Sequence, residues 1–326
     1  APPLRAPRRR RRRRLPPLQV RHRRWRFHPL VVRPGAAGQS RRQGCMDYGA
    51  SRGIGEVLSM QFASLGAKLI LSARNKEELE RVKRNIMSKH PDSKIEVLPM
   101  DLSSDEESLK EVVHSAESLF SSAGIDYMMH NAAFERPKRG ALEETEEGLK
   151  ATFHVNVFGT ITLTRLLAPF MLDRGMGHFV VMSSAAGKVP TPSQALYSAS
   201  KHALNGYFAS LRSELCTKGI KVTVVCPGPI ETPVSSGATS SSQRHSSEKR
   251  VSVERCAELT IVAATHGLKE ALTSFAACAG CYVRGAIHAN NWMLDYGQGW
   301  CKASGCRCKE RQRLQLESPL RWQKVG

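Results

Sequence analysis

Residues 49–55 read Gly49-Ala50-Ser51-Arg52-Gly53-Ile54-Gly55, and this glycine-rich turn is the strongest indication of the fold. The turn opens an amphipathic helix predicted over 56–67, which leads into an apolar strand predicted over 68–73. Glycines at this spacing let the backbone approach a pyrophosphate, and a helix that begins there points its free amides at the same anion. The stretch therefore predicts a dinucleotide-binding unit.

Helix and strand patterns alternate along the chain beyond this turn. Strands that alternate with helices of ten or more residues are typical of a parallel sheet covered on both faces. We therefore expect an α/β protein with a Rossmann-like, doubly wound parallel sheet in a single domain. The predicted helices cover 76–88, 105–121, 152–174, 194–217 and 252–267, and the further strands 94–99, 125–130, 177–182 and 220–226.

The segment before the glycine turn departs from this pattern. A dinucleotide fold needs an apolar strand directly before the turn, because that strand lies at the centre of the sheet. Here residues 40–48 read Ser-Arg-Arg-Gln-Gly-Cys-Met-Asp-Tyr, which is neither apolar nor alternating. The sequence thus predicts that the first strand is damaged in this chain.

A second stretch, Tyr197-Ser198-Ala199-Ser200-Lys201, points to acid–base chemistry. Its Tyr and Lys are four residues apart and share one face of a helix. A neighbouring ammonium favours phenolate, so we expect Lys201 to lower the pKa of Tyr197 from its usual value of about 10. Such a Tyr can exchange a proton with a carbonyl or alcohol oxygen near neutral pH, and Ser184 can hydrogen-bond the same oxygen.

From about residue 49 to residue 270 these motifs resemble the short-chain dehydrogenase/reductase family. His130-Asn131-Ala132-Ala133 is similar to the family's Asn-Asn-Ala-Gly segment, with Asn131 kept. Cys226-Pro227-Gly228-Pro229-Ile230-Glu231-Thr232-Pro233 resembles the loop that closes over the nicotinamide. Within the family the chain most resembles the microsomal hydroxysteroid-dehydrogenase-like, dehydrogenase/reductase member 7 branch.

The resemblance implies a role for each matched residue. Ser184 would orient the substrate oxygen, Tyr197 would exchange the proton, Lys201 would hold the ribose, and Asn156 would support Lys201 through water. Asp101 looks like the residue that touches the adenine. No metal is implied. The implied cofactor-binding residues are Gly49, Ser51, Arg52, Gly53, Ile54, Gly55, Arg74, Asp101, Asn131, Tyr197, Lys201, Pro227, Gly228, Ile230 and Thr232.

Two arginines favour NADP(H) over NAD as the cofactor. Arg52 lies inside the glycine turn, and Arg74 ends the second strand, where an NAD-specific site would carry an acidic residue. A guanidinium can bind two phosphate oxygens at once, which suits a 2′-phosphate. Each arginine on its own could equally be an ordinary surface residue.

The function that follows is an NADP(H)-dependent oxidoreductase that interconverts a carbonyl and a secondary alcohol on an apolar small molecule. The alternative is an inactive family member whose cofactor site is lost with strand one and which acts as a basic binding protein. The resemblance further implies a homodimer through the helices at 152–174 and 194–217. Residues 234–249, rich in Ser and Gly, fall where the family has its substrate lid, although a plain linker fits them too.

The charge of the chain belongs to its ends. Residues 1–46 hold fifteen arginines and no acidic residue, whereas residues 47–278 are neutral overall although the whole chain carries +20. We expect residues 1–46 to be a disordered arm, and nucleic-acid binding has no fold motif in its support. Residues 271–326 form an extension of doubtful reading frame, and we hypothesise that both ends are out-of-frame translations around an intact domain at 47–270.

The cysteines between 278 and 308 have spacings that fit no common zinc module, so we expect no metal site there. No apolar stretch of about 18 residues is evident, so the sequence predicts neither a signal peptide nor a membrane anchor. Association with the endoplasmic reticulum membrane is implied by the family resemblance alone.

Overall fold

The computed structural model describes residues 44–122, 124–190, 192–231 and 250–273. In this part of the chain, seven parallel strands form one sheet in the order β3-β2-β1-β4-β5-β6-β9. They are β1 (Gly44–Tyr48), β2 (Lys68–Ser72), β3 (Ile95–Val97), β4 (Tyr127–His130), β5 (Gly177–Met182), β6 (Ile220–Pro227) and β9 (Glu270–Thr273). The short strands β7 (Ile230–Glu231) and β8 (Val251–Ser252) pair separately.

Helices cover both faces of the sheet, so the prediction of a doubly wound α/β fold is confirmed. One buried apolar cluster joins one face to α1, α2 and α7, and a second joins the other face to α3, α5 and α6. The helices are α1 (Gly53–Ser64), α2 (Lys76–Lys89), α3 (Glu106–Ser122), α4 (Glu146–Phe153), α5 (Thr160–Asp173), α6 (Ala195–Leu215) and α7 (Val253–Thr265).

Local sequence explains where these helices begin. The Asn75 side chain accepts a hydrogen bond from the Glu78 amide at 2.9 Å at the start of α2, and Ser252 accepts one from the Arg255 amide at 3.2 Å at the start of α7. Short polar side chains at this position satisfy amides that the helix itself leaves free. The starts of α2 and α7 therefore lie within one residue of the predicted ones.

Strand β1 is present, so the prediction of a damaged first strand is wrong. It pairs in parallel with β2 on one side and β4 on the other, and its five residues are all buried. Main-chain pairing depends little on side-chain type, and Cys45 packs toward α1 and α7 while Met46 and Tyr48 pack on the opposite face. Only Asp47 breaks the apolar pattern.

Asp47 is a carboxyl group at the centre of the sheet. It is fully buried and accepts one hydrogen bond, at 2.9 Å from the Ser59 hydroxyl of α1, while its Oδ1 atom has no hydrogen-bond partner. Burial raises the pKa of Asp47 from its ordinary 3.8 to about 7, although the bond from Ser59 lowers it. The strand thus tolerates a residue that is costly to bury in its charged form.

The helix predicted over 152–174 begins earlier than expected. It starts at Glu146, after the Thr145 hydroxyl accepts a hydrogen bond from the Gly148 amide at 3.1 Å, and it runs to Asp173 through a π-helical turn, His154–Gly159. Turns of this kind are rare and are frequent at functional sites. The π-helical turn contains Asn156.

The same helix bears on the membrane expectation. Glu146–Asp173 is long and apolar enough to cross a membrane by length and composition, which differs from the expectation of no such stretch in the sequence. Half of its apolar window is buried inside the protein, as is usual for a core helix. It is the one helix among the described ranges that meets this test.

The sheet extends slightly past the predicted domain limits of 47 and 270, because it begins at Gly44 and ends at Thr273. Residues 1–43 of the predicted arm and residues 274–326 of the extension lie outside the described residues. So do Thr232, the predicted lid at 234–249 and the cysteines between 278 and 308.

Candidate active site

The glycine turn joins β1 to α1 at the carboxyl edge of the sheet. Strand order reverses between β1 and β4, and in open α/β sheets ligands bind in the crevice beyond such a switch point. The segment after β4 lies beside the turn, since the Ala132 amide donates to the Tyr48 carbonyl at 2.8 Å. The structure thus brings the glycine turn next to Asn131, although Asn131 follows Gly55 by 76 residues and Gly49 by 82 in the sequence.

Close packing explains why two positions of the turn are glycine. Gly49 has a φ of +109°, and a Cβ atom on it would lie 2.7 Å from the Ala132 amide nitrogen. A Cβ on Gly55 would overlap the Gly49 carbonyl oxygen. The Asn131 side chain donates to that same carbonyl at 3.2 Å and so holds the turn from the β4 side.

The opposite side of the turn is open. A Cβ on Gly53 would meet no atom within 4 Å, and Arg52, the residue directly before α1, does not cap the helix with its side chain. The first amides of α1 are therefore free of a side-chain acceptor, which is the arrangement that binds a phosphate or another anion. Arg81 of α2 steadies the turn by donating to the Ser51 carbonyl at 3.1 Å and pairing with Glu56.

Tyr48, Arg74 and Asp101 converge at the ends of β1, β2 and β3. Burial raises the pKa of Tyr48, and the charges of Asp101 and Arg74 act on it in opposite directions. The Tyr48 hydroxyl accepts from the Leu102 amide at 3.3 Å, and the Asp101 carboxylate accepts from the Ser103 amide at 2.9 Å. Arg74 is exposed beside them, so a phosphate can reach it. The adenine contact of Asp101 stays a prediction.

Ser184, Tyr197 and Lys201 come together beyond the end of β5. Ser184 precedes a short 3-10 helix, Ala185–Gly187, and its hydroxyl accepts from the Ala186 amide at 3.1 Å. Hydrogen bonding by Ser184 lowers the pKa of Tyr197. Lys201 is almost completely buried, and its Nζ atom lies 5.6 Å from the centre of the Tyr197 ring. The Lys201 ammonium donates to the Met182 carbonyl at 2.8 Å, which fixes its position.

The expected lowering of the Tyr197 pKa by Lys201 is wrong for the protein without ligands. Burial raises the pKa of Tyr197 to about 12. Hydrogen bonding by Ser184 lowers this pKa, whereas the charge of Glu135 raises it. Burial likewise lowers the pKa of Lys201 to about 8. Desolvation disfavours both charged forms here, and it outweighs the attraction between an ammonium and a phenolate.

Asn156 lies in the π-helical turn, and both its side-chain oxygen and its side-chain nitrogen form hydrogen bonds. Its Oδ1 accepts from the Phe134 amide at 2.6 Å, and its Nδ2 donates to the Phe134 carbonyl at 3.0 Å and to the Ser200 hydroxyl at 3.2 Å. These bonds join the segment after β4 to α6 next to Lys201. Support of Lys201 through water stays a prediction.

The loop expected to close over the nicotinamide follows β6. Pro227 ends that strand and is buried, and the Gly228 amide donates to the Thr273 carbonyl at 3.4 Å. Ile230 pairs with Val251 in the small second sheet. Ile54 of the glycine turn packs against the core with its side chain, which leaves its main chain for a ligand.

A small cleft beside Tyr197, with a volume of about 10 Å³, contains residues that the sequence motifs did not reveal. They come from loops that are distant in sequence and follow no periodic pattern, so no sequence signal identifies them. In the described ranges no three His, Cys, Asp or Glu side chains are grouped to hold a metal ion. The cleft is lined by Phe134, Glu135, Arg136, Pro137, Glu144, Thr152, Ser193, Gln194, Leu196 and Tyr197.

Comparison with known proteins agrees with this geometry. A family model described as short chain dehydrogenase matches residues 48–244. The chain is 38% identical over 196 residues to a Drosophila melanogaster dehydrogenase/reductase SDR family protein 7-like, and it covers 59% of that protein. It is 32% identical over 234 residues to human dehydrogenase/reductase SDR family member 7, and it covers 67% of that one. These matches include 60% and 68% of this chain.

Solved structures give the same fold. A metagenomic short-chain oxidoreductase in complex with NADP is 26% identical with a TM-score of 0.60, and the match covers 72% of this chain and 99% of that one. Levodione reductase, at 21% identity, has a TM-score of 0.66 over 73% of this chain and 98% of its own. The second likeness concerns the fold alone.

The fold defines the class as the Rossmann-fold oxidoreductases. The chain belongs to the short-chain dehydrogenase/reductase family. Its relatives place it in the dehydrogenase/reductase member 7 branch, as the sequence motifs predicted.

Proposed function

We propose that this protein is an NADP(H)-dependent oxidoreductase that interconverts a carbonyl and a secondary alcohol on an apolar small molecule. The observation that carries the proposal is the buried Lys201, whose Nζ atom lies 5.6 Å from the centre of the Tyr197 ring, with Ser184 close enough to lower the pKa of Tyr197. A phenol and a hydroxyl that meet next to a nucleotide crevice can hold one substrate oxygen between them.

The residues present fit a nicotinamide dinucleotide. The open side of Gly53 and the uncapped start of α1 suit its pyrophosphate, and Asn131 keeps the turn in the required shape. Arg52 and Arg74 would hold a 2′-phosphate, and Lys201 a ribose. When bound, such a cofactor supplies or accepts a hydride at carbon 4 of its nicotinamide.

The state of Tyr197 suits proton donation. With a pKa of about 12 the phenol keeps its proton at neutral pH, so it can donate that proton to a carbonyl oxygen that becomes an alkoxide. The Ser184 hydroxyl orients the same oxygen. The Lys201 ammonium stabilises the phenolate that remains, and a path past Asn156 would return the proton from solvent. In oxidation the same groups act in reverse.

Preference for NADP(H) rests on charge at the two ribose-side positions. Arg52 and Arg74 are both exposed, and the second position after β2 holds Arg74 and not an acidic residue. The metagenomic relative was solved with NADP, which supports the assignment by likeness. An exposed guanidinium remains free to form a bidentate contact with phosphate.

Replacing Arg74 by Ala is expected to weaken NADPH binding about ten- to a hundred-fold, because a hydrogen bond to a charged group contributes about 1.5–3 kcal/mol. NADH has no 2′-phosphate, so its affinity should change about twofold or less. Fluorescence titration of each nucleotide measures both effects. Arg84→Ala, at an exposed position of α2, is the matched control. Equal affinity of the native chain for NADH and NADPH would contradict the proposal.

The cleft beside Tyr197 is the proposed substrate site. The cleft itself has a volume of only about 10 Å³, so a substrate would lie at its open side. Phe134, Pro137 and Leu196 offer apolar contacts there, whereas Glu135 and Arg136 add charge. The alternative of a non-catalytic protein without a cofactor site loses its premise, because β1 is in place. The reaction therefore remains the proposed role.

We further propose a homodimer formed through the helices at 152–174 and 194–217. Phe158 in the π-helical turn is 57% exposed, and a large exposed aromatic side chain on a helix surface suits an interface. Sedimentation equilibrium of the native chain is expected to give twice the monomer mass. Phe158→Glu should shift the mass toward the monomer, and a native monomer at micromolar concentration would contradict the proposal.

A further inference from the structure

Glu135 joins the cleft to the start of the catalytic helix. Its Oε1 accepts a hydrogen bond from the Gln194 side chain at 2.6 Å in an exposed contact, and Gln194 is the residue directly before α6. Tyr197 follows three residues later and lines the same cleft as Glu135. A bond at the start of α6 therefore acts on the first turn of the helix, which carries the phenol.

A second contact ties the same two loops. The Arg139 amide donates to the Ser193 carbonyl at 3.1 Å, and Ser193 has a φ of +61°, which is unfavourable for a residue with a side chain. The Asn156 amide meanwhile holds both main-chain groups of Phe134, the neighbour of Glu135. Glu135 is thus anchored on its own loop and can in turn hold Gln194.

The charge of Glu135 also acts on both reacting groups. Burial lowers the pKa of Lys201, and the charges of Cys226 and Glu135 both raise it. The charge of Glu135 also raises the pKa of Tyr197. The other charged groups around the site are Arg136 and Glu144, which form a 3.6 Å ion pair across the cleft. Of the charged side chains lining the described cleft, Glu135 is the one whose effect reaches both Tyr197 and Lys201.

We propose that Glu135 is a positioning residue of this active site: its carboxylate holds the first turn of α6, which carries Tyr197, through the hydrogen bond from Gln194. This inference rests on the proposed function for its catalytic consequence. The accompanying effect of the Glu135 charge on Lys201 is the electrostatic part, which supports the placement of Glu135 near the site and can be measured without substrate or cofactor.

The electrostatic part is tested by titrating Lys201 in protein labelled with ¹³C at lysine Cε. The resonance missing from Lys201→Arg identifies Lys201, and its midpoint in the native chain is expected near pH 8. Glu135→Gln removes the charge but keeps an acceptor for Gln194, so the midpoint should fall by about 0.5 pH unit. Glu96→Gln removes the same charge from an exposed site on β3 and should leave the midpoint in place. Equal midpoints in these two variants would overturn the electrostatic role.

The positioning part is tested by steady-state kinetics with NADPH and a carbonyl substrate. Glu135→Ala and Gln194→Met both remove the hydrogen bond, and each should lower kcat about ten- to a hundred-fold. Glu135→Gln keeps an acceptor for Gln194, so it should lower kcat less than Glu135→Ala does. If Glu135→Ala retains the kcat of Glu135→Gln, the role through Gln194 is overturned. If the native chain reduces no carbonyl compound, the proposed function fails, whereas the Lys201 titration still decides the electrostatic part.

Discussion

Tyr197→Phe is expected to lower the turnover number for carbonyl reduction about a thousand-fold, within the range typical of a lost general acid. The change removes one oxygen atom and leaves the aromatic ring, so the packing around Lys201 persists. NADPH affinity should therefore stay within about twofold of the native value. Steady-state kinetics gives the turnover number, and fluorescence titration gives the affinity.

A second tyrosine on the same helix provides the matched control. Tyr207 lies ten residues further along α6 and packs edge-to-face against Phe208, away from Ser184. Tyr207→Phe removes the same hydroxyl from a site without a catalytic role and should keep the native turnover number. Retention of more than about a tenth of the activity in Tyr197→Phe would show that another group supplies the proton.

Asp47→Asn is expected to raise the free energy of unfolding by about 4 kcal/mol at pH 8, because a buried carboxylate is replaced by a neutral group of equal size. In the folded chain the pKa of Asp47 is about 7, whereas its ordinary value is 3.8. At pH 8 the native chain must therefore hold a charge that the unfolded chain exposes to water. Urea denaturation measures the difference.

The pH dependence of this difference has a definite sign. Between about pH 4 and pH 7 the folded state binds more protons at Asp47 than the unfolded state does, so the free energy of unfolding of the native chain falls as the pH rises. Asp47→Asn lacks this titration. The difference in free energy of unfolding between Asp47→Asn and the native chain should therefore decrease by about 1 kcal/mol for each pH unit from pH 7 down to pH 5.

An exposed aspartate controls for the loss of charge. Asp92 lies in the surface loop between α2 and β3, and Asp92→Asn should leave stability within about 0.5 kcal/mol of the native value. The buried histidines, such as His130, are common to all these variants, so their titration cancels in the comparison. An Asp47→Asn advantage that does not change between pH 5 and pH 8 would contradict the assignment.

Asp47 also explains where sequence reasoning about the fold failed. The alternation of helices and strands predicted the doubly wound sheet, because each long segment showed the hydrophobic periodicity of its type of secondary structure. Strand β1 has only five residues, and one of them is an aspartate, so its sequence is neither an apolar run nor a regular alternation. Pairing on both sides with β2 and β4 holds the strand in place, and that pairing is a tertiary effect absent from local sequence.

The candidate site was predictable to the extent that its residues are spaced along single elements. The spacing of four between Tyr197 and Lys201 predicted that both would lie on one face of α6, and the structure places them there. The pKa of Tyr197 was predicted in the wrong direction, because burial depends on everything packed around the phenol. Glu135 and Gln194 are 59 residues apart and meet only after folding, so no spacing could predict their bond.

Strand β9 has a consequence for solubility. Its four residues, Glu270–Thr273, pair with Val224–Pro227 and so cover the open side of β6, an eight-residue strand with seven buried positions. A chain that ended at the sequence-predicted limit of 270 would leave β6 as a long apolar edge, and such edges recruit strands from other molecules. The few residues past that limit therefore act as protection against edge-to-edge aggregation.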